Sequence, residues 1–123
     1  MTIQEAINLT DSLKPNSYSR TDKVRWLSDL DSTLWENVIS GHQGWEGEKF
    51  SGYDADTPDS RELLAPSPYD EMYLRWLEAK IDYSNGEMNR YNNSILLYNT
   101  LYNAFNRHYN RKVLPTGKNY KYF

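Results

Sequence analysis

Residues 68–110 read PYDEMYLRWLEAKIDYSNGEMNRYNNSILLYNTLYNAFNRHYN and carry the longest hydrophobic periodicity in the chain. In the second half of this stretch, apolar and aromatic residues recur at spacings of 3 and 4, which places them along one face of a long helix. They are Met88, Tyr91, Ile95, Tyr98, Tyr102, Phe105 and Tyr109. A second row beside them widens the apolar stripe and consists of Leu97, Leu101, Ala104 and His108.

The first half of the stretch supplies a packing partner for that helix. Ser67 is a suitable N-cap, Pro68 suits the first helical position, and Gly86 can adopt the left-handed conformation that closes a helix. A single continuous helix across Gly86 costs only about 1 kcal/mol there, but it leaves both apolar stripes without partners. We therefore predict a helical hairpin whose core contains Tyr69, Tyr73, Trp76, Ile81, Gly86, Tyr91, Ile95, Tyr98, Tyr102 and Phe105.

Two shorter helices are predicted before the hairpin. Thr2 and Glu5 form a capping-box pattern, with Ile3, Ala6, Ile7 and Leu13 on the buried side and Pro15 after the helix. Ser19 starts the second helix, and Gly41 and Gly44 end it. Its stripe consists of Val24, Leu27, Leu30, Leu34, Val38 and Ile39, with Trp26 and Trp35 at its flanks.

Residues 42–66 are longer than an ordinary connecting loop, and connections of this length are usually functional or disordered. Short strands at 49–53 and 62–65 would make it an arm-like β-hairpin. The fold class is therefore all-α: a small helical bundle with a C-terminal helical hairpin and a long loop or β-arm between helices 2 and 3. Residues 1–110 are expected to form one domain, and residues 111–123 an extended C-terminal arm.

The composition combines few aliphatic residues with many aromatic ones. Of the 123 residues, 38% are hydrophobic and 15% aromatic, including 11 tyrosines and 4 tryptophans, and the mean hydropathy is -0.88. Large amphipathic rings suit contacts that are buried at one end and wet at the other. A chain that completes its burial against partners and a small tyrosine-rich core account for this composition equally well.

Opposite charges are segregated along the chain, whose net charge is -3. Acidic residues dominate from 46 to 71, and from 107 to 123 there are only basic ones. We expect partner contacts at both stretches, through Trp45, Phe50, Tyr53, Asp54, Asp56, Asp59, Arg111, Lys112, Lys118, Tyr120, Lys121, Tyr122 and Phe123. The chain has no cysteine, no apolar run long enough to span a membrane and no signal-peptide pattern, so we expect it in the cytosol or in something assembled there.

No catalytic motif surrounds the two histidines, His42 and His108, so we expect neither an enzyme nor a cofactor. Asp54, Asp56 and Asp59 could gather around a hard cation, as in a metal-dependent hydrolase, but the spacing favours a solvated acidic loop. Bases mixed with aromatics near both ends of the last helix resemble single-strand binders, and the negative net charge argues against that interpretation.

Three segments together resemble a known family. They are RWLSDLD at residues 25–31, LLAPSPYDEMYLRWLEAKIDYSNGEMNRYNNS at 63–94 and FNRHYNR at 105–111. In this order, and separated by an acidic loop, they resemble head-tail adaptor, or head-completion connector, proteins of tailed bacteriophages of Gram-positive hosts. The likeness covers most of the chain and contains no catalytic signature.

The resemblance implies a virion structural protein at the neck of the particle. Such a subunit would join a dodecameric ring beneath the portal protein, extend the DNA channel without sequence-specific binding, and offer a platform to a tail-side connector. Tyr69, Trp76, Ile81, Gly86, Tyr91 and Phe105 would then be architectural. The alternative from another class is a soluble protein of a phage or mobile element that binds and regulates a host protein.

Overall fold

The helices follow one another in the order that the apolar spacing predicts. The computed structural model describes residues 1–39 and 50–112, with side chains as far as residue 110. Four α-helices are present in these residues: α1 (Ile3–Leu13), α2 (Arg20–Leu34), α3 (Glu71–Ser84) and α4 (Met88–Lys112), and a π-helical turn (Trp35–Ile39) continues α2. No strand occurs in the described part of the chain, so the all-α prediction is confirmed.

The first helix begins with the predicted capping box. The Glu5 amide donates to Thr2 Oγ1 at 3.1 Å, and the Thr2 amide donates to Glu5 Oε1 at 2.9 Å, so two N–H groups that the helix leaves unpaired are satisfied. Ile3 is fully buried. Leu13 was expected on the buried side, but it is 60% exposed. The last buried residue of α1 is Thr10 instead.

The second helix provides the centre of the core. Ser19 caps it as predicted, accepting a hydrogen bond from the Asp22 amide at 3.2 Å. Every residue of the predicted stripe is buried, namely Val24, Leu27, Leu30, Leu34, Val38 and Ile39. Trp26 and Trp35 were placed at its flanks, yet both are only 7% exposed, because α3 and the loop cover the sides of α2 as well.

The turn between α3 and α4 has the predicted glycine geometry. Gly86 has a φ of 76°, in the left-handed region. Its amide donates to Tyr83 O at 3.1 Å, and the Glu87 amide donates to Asp82 O at 2.9 Å. These two bonds form a Schellman motif, which satisfies carbonyls at the end of α3 and reverses the chain direction. The helical hairpin is thereby confirmed.

The start of the hairpin differs from the prediction. Residues 67–70 form a turn with a cis Ser67–Pro68 peptide bond, and Asp70 occupies the N-cap of α3. Pro68 is therefore not the first helical residue. The Tyr69 amide donates to Pro66 O at 2.9 Å, so a local turn takes up the backbone groups that a helix would have used.

Aromatic side chains fill the hairpin interface. Tyr73, Ile81, Tyr98 and Phe105 are buried as predicted, whereas five predicted core residues are only partly buried: Tyr69, Trp76, Tyr91, Ile95 and Tyr102. The most buried line of α4 shares Tyr98 and Phe105 with the predicted seam and otherwise runs through Ser94, Leu101 and His108. The other members of the predicted seam therefore lie at the edge of the interface rather than at its centre.

The loop before α3 is attached to the body of the protein. The Ile3 amide donates to Arg61 O at 3.0 Å, and the Leu63 amide donates to Met1 O at 2.9 Å. Glu62 forms an isolated bridge with Thr2 instead of pairing with residues near 53. The β-arm prediction is therefore wrong for residues 50–65, because the backbone groups of this segment bond to the start of α1.

The last helix is longer than predicted. It continues to Lys112, two residues beyond the expected helix end at residue 110, since Arg and Lys are good helix formers and suit a helix C-terminus. The predicted ends of helix 2 at Gly41 and Gly44 lie outside the described residues, as does the chain after Lys112. Among the described helices, none combines the length and the apolar character needed to cross a bilayer.

Candidate partner interface

The acidic loop lies at the end of the molecule where α1 begins. The Met1 amino group is 3.3 Å from Glu62 Oε2 and 3.7 Å from Asp70 Oδ2, so the loop, the chain start and the N-terminus of α3 meet there. The Gln4 amide donates to Asp59 O at 3.2 Å and fixes the loop backbone. Glu62 remains exposed. This end of the molecule therefore presents carboxylates on a backbone that is held in place.

The basic end of α4 lies at the same end of the molecule. The ring of Tyr69, just before α3, is 4.8 Å from the ring of His108, and Arg107 is exposed beside it. In an antiparallel hairpin the start of α3 and the finish of α4 are neighbours. The acidic and basic stretches, far apart in sequence, therefore end at the same height of the bundle, a placement that the sequence did not indicate.

Two predicted interface residues face the interior of the protein. Tyr53 is 8% exposed and belongs to the core, and the partly buried Phe50 packs edge-on against it at 5.0 Å between ring centroids. The prediction that they contact a partner is corrected for Tyr53, because its hydroxyl is used inside the same chain. The Tyr53 hydroxyl donates to Asp31 Oδ2 at 2.5 Å.

Asp31 is the centre of a buried cluster of hydrogen bonds. The carboxylate is fully buried and also accepts from the Tyr73 hydroxyl at 2.6 Å and from the Leu64 amide at 3.1 Å. Tyr73 in turn accepts from the Ala65 amide at 2.7 Å. These bonds connect α2, α3 and the loop on both sides of the acidic segment.

The electrostatics of this cluster favour donation by the tyrosines. Burial raises the pKa of Asp31, although the hydrogen bonds from Tyr53 and Tyr73 act in the opposite direction. Burial, together with the neighbouring negative charge of Asp31, raises the pKa of both tyrosines, so their hydroxyls stay protonated. Arg61 lies over the ring of Tyr53, 5.2 Å from its centroid, and offsets part of the buried charge.

The exposed aspartates of the loop bond mainly to their own segment. Asp54 Oδ1 accepts from the Asp56 amide at 2.9 Å, and the Asp54 amide donates to Thr57 Oγ1 at 2.9 Å, an arrangement that closes a local turn. Asp59 Oδ1 accepts from Arg20 Nε at 2.8 Å. Within residues 1–39 and 50–112, no three His, Cys, Asp or Glu side chains gather in a way that could hold a metal ion.

The remaining predicted interface residues cannot be placed. Trp45 lies outside the described residues, as do the five residues of the C-terminal arm, Lys118, Tyr120, Lys121, Tyr122 and Phe123. Arg111 and Lys112 belong to α4, and their side chains are outside the described part. The described interface therefore consists of the exposed loop carboxylates and the end of α4.

A groove occupies the opposite end of the hairpin. Its volume is about 290 Å³, and it is lined by Trp76, Ala79, Lys80, Tyr83, Tyr91 and Ile95. The Lys80 ammonium lies 4.7 Å from the centroid of the Trp76 ring, and the rings of Tyr83 and Tyr91 are 5.5 Å apart. The groove thus offers aromatic faces with one cation at its wall.

Sequence reasoning missed the buried charges that position the loop and the helices. Asp31 continues the spacing Val24, Leu27, Asp31, Leu34, Val38, so a carboxylate stands at a core position. That conflict between residue type and position was the available signal, because a buried charge requires partners. Nothing in the sequence indicated that Tyr53, 22 residues away, provides one of them.

A second buried carboxylate joins three helices. Asp82 in α3 is fully buried, pairs with Lys14 after α1, and accepts from Ser94 Oγ in α4 at 3.2 Å. Lys23 is also buried and pairs with Asp11 at 2.8 Å. These pairs connect the helices through buried charges.

In comparisons with known proteins, no protein-family model, no curated protein and no solved structure matched the chain.

Proposed function

We propose that this chain is a head-tail adaptor of a tailed bacteriophage, a structural protein that forms a ring between the capsid portal and the tail. The proposal rests on the segments that resemble such proteins and on the arrangement of charge around the hairpin. It assigns the chain no catalytic role. DNA would pass through the ring without sequence-specific contacts.

The observation that carries the proposal is that opposite charges lie at one height of the bundle. In a ring all copies point the same way, so the two surfaces that join neighbours must differ and must lie at the same level. Glu62 and Arg107 carry opposite charges, and both lie at the end where α1 and α3 begin. A heterologous contact of this kind is what a closed ring needs.

The net charge of -3 suits a passage for DNA. A strongly basic channel would bind phosphates and release about one counterion for each contact. A weakly acidic ring avoids that attraction. The net charge therefore favours a channel through which DNA passes rather than a protein that holds DNA.

Removal of the gene from the phage genome that encodes this chain tests the proposal. We expect electron microscopy of the lysate to show DNA-containing heads and free tails that are not joined, and a plasmid copy of the gene to restore complete particles. Normal particles with attached tails would contradict it.

The groove between α3 and α4 favours one alternative function. Its aromatic walls and Lys80 resemble a small recognition site for a host protein. A regulatory protein of a phage or mobile element would be recovered from infected cells with a host protein, and Lys80→Glu, at the wall of the groove, would abolish this association. Recovery with portal and tail proteins instead supports the adaptor.

A further inference from the structure

A row of six asparagines and one leucine runs along the outer face of α4, and within it Asn110 Nδ2 donates to Asn106 Oδ1 at 3.3 Å. The row recurs at spacings of 3, 4, 3, 4, 3 and 4, the heptad spacing at which two helices pack side by side. We name it the asparagine stripe; it consists of Asn89, Asn92, Leu96, Asn99, Asn103, Asn106 and Asn110. All of these residues except the partly buried Asn106 are exposed.

The composition of this face differs from that of a solvated helix surface. No charged residue occurs between Arg90 and Arg107, although 25% of the whole chain is charged. Solvated helix faces usually carry Glu and Lys, which are better helix formers than Asn. Leu96, which lies within the row, is 63% exposed. Charge depletion around an exposed leucine is typical of the centre of an interface.

We propose that the asparagine stripe binds a second copy of this chain, whose own α4 packs antiparallel against it, stripe to stripe. An amide both donates and accepts hydrogen bonds, so asparagines of two identical rows that face one another are complementary. An antiparallel pair is isologous and brings Asn99 of each copy together at the twofold axis. Amides also face amides in the layers that join Asn92 with Asn106 and Asn89 with Asn110, whereas Leu96 of each copy lies beside Asn103 of the other.

Charge selects both the partner and the direction. Each copy has a net charge of -3, so two copies repel one another least where the surface carries no charge. A parallel pair would bring together Arg107, Arg111 and Lys112 of both copies. An antiparallel pair centred on Asn99 separates the two copies of Arg107 by about 24 Å and the two copies of Lys112 by about 39 Å along the helix axis, and also opposes the helix dipoles.

This pairing concerns the free protein and goes beyond the adaptor proposal. It requires neither a portal nor a tail, and the charged end of the molecule lies outside it. Its failure would leave the adaptor proposal intact, and the reverse also holds. The two proposals are therefore tested by separate experiments.

Analytical ultracentrifugation of the full chain tests the pairing. We expect a concentration-dependent equilibrium between monomer and dimer. Asn99→Glu places like charges opposite each other and should raise the dissociation constant at least about tenfold. Because Glu is a better helix former than Asn, the melting temperature of the monomer should not fall. Asn8→Glu changes an exposed asparagine on α1 and is the matched control, which should leave the equilibrium unchanged.

A charge-complementation experiment tests the twofold contact itself. Asn99→Glu and Asn99→Lys should each remain monomeric, and an equimolar mixture should form a heterodimer. The chain has no cysteine, so Asn99→Cys introduces a single thiol, which should give a disulfide-linked dimer on mild oxidation, whereas Asn8→Cys should not.

Three results would overturn the pairing. A wild-type chain that stays monomeric at every concentration would show that the stripe does not bind a second copy. If Asn99→Glu and Asn8→Glu weakened dimerisation equally, the stripe would not be part of the dimer contact. A mixture of the Glu and Lys variants that fails to associate would exclude the antiparallel arrangement.

Discussion

The carboxylate of Asp31 shows how a single residue can hold an irregular segment in place. It is fully buried and accepts bonds from Tyr53, Tyr73 and Leu64. A buried charge is tolerated only with several partners. The residues before and after the acidic part of the loop must therefore both contact α2. Asp31 thereby fixes the two flanks of the acidic part, and bonds to the start of α1 fix the segment between them.

Loss of a tyrosine donor should destabilise the protein measurably. Tyr73→Phe removes a hydrogen bond to a buried charge and leaves the Ala65 amide without its acceptor. We expect a loss of about 2 kcal/mol in the free energy of unfolding, measured by urea denaturation. Tyr83→Phe, at a residue that is 61% exposed, is the control and should change it by less than about 0.5 kcal/mol. Equal losses would contradict the role of Tyr73.

The raised pKa of Asp31 predicts a pH dependence with a defined sign. Because burial raises this pKa above the ordinary value of 3.8, the folded state binds the proton more readily than the unfolded state. The contribution of Asp31 to stability is therefore fully present below pH 3.8 and is lost as the pH rises through its folded-state pKa.

A comparison of wild type with Asp31→Asn isolates this contribution. The free energy of unfolding of wild type minus that of the variant should increase as the pH is lowered from about 7 to about 4. Asp29→Asn, at an exposed position of the same helix, is the control for the loss of one negative charge from α2. Parallel pH profiles for wild type and Asp31→Asn would contradict the prediction.

At the scale of the elements, periodicity and capping residues predicted the helices well. The capping box at Thr2, the N-cap at Ser19 and the left-handed Gly86 depend on interactions within a few residues, which is why the sequence indicates them. Pro68 was misplaced because a proline fits both the first turn of a helix and a preceding turn. Local sequence does not distinguish between these two uses.

Long-range contacts account for most of what could not be predicted. Tyr53 bonds to Asp31 across 22 residues and Glu62 pairs with Thr2 across 60, and no spacing rule connects such positions. The candidate interface shares this limitation. Its charged stretches were visible in the sequence, but their common height depends on the hairpin, which brings Tyr69 to His108.

The turn of the hairpin should depend on the backbone of Gly86. Its φ of 76° disfavours residues with a Cβ, although an added methyl group would meet nothing within 4 Å. Gly86→Ala should therefore lower the free energy of unfolding by about 1 kcal/mol through backbone strain alone. Gly86→Asn should cost less, because Asn tolerates this conformation. Urea denaturation measures both, and no loss for Ala would contradict the Schellman motif.

Trp76 holds the hairpin against α2. Its Nε1 donates to Trp26 O at 2.8 Å, and its ring packs against Tyr98 at 5.1 Å between centroids. Trp76→Ala should cost about 3 kcal/mol in thermal or urea unfolding. Leu13→Ala, at a residue 60% exposed on α1, is the control for loss of an apolar side chain. A loss below about 1 kcal/mol for Trp76→Ala would mean that this ring serves an interface instead.

At the scale of the whole molecule, the hairpin determines where charge is presented. The acidic loop is fixed to the start of α1, and the basic end of α4 lies beside the start of α3. Two unlike surfaces at one height can join neighbouring copies into a ring whose members all point the same way. The central proposal, a ring between portal and tail, follows from this arrangement together with the resemblance of the sequence.

Cryo-electron microscopy of particles from the phage that encodes this chain is the most direct test of that proposal. We expect a ring of copies of this chain at the neck, with the loop around Glu62 of each copy facing the Arg107 end of α4 in its neighbour. A neck in which the chain is absent, while complete particles still form, would contradict it.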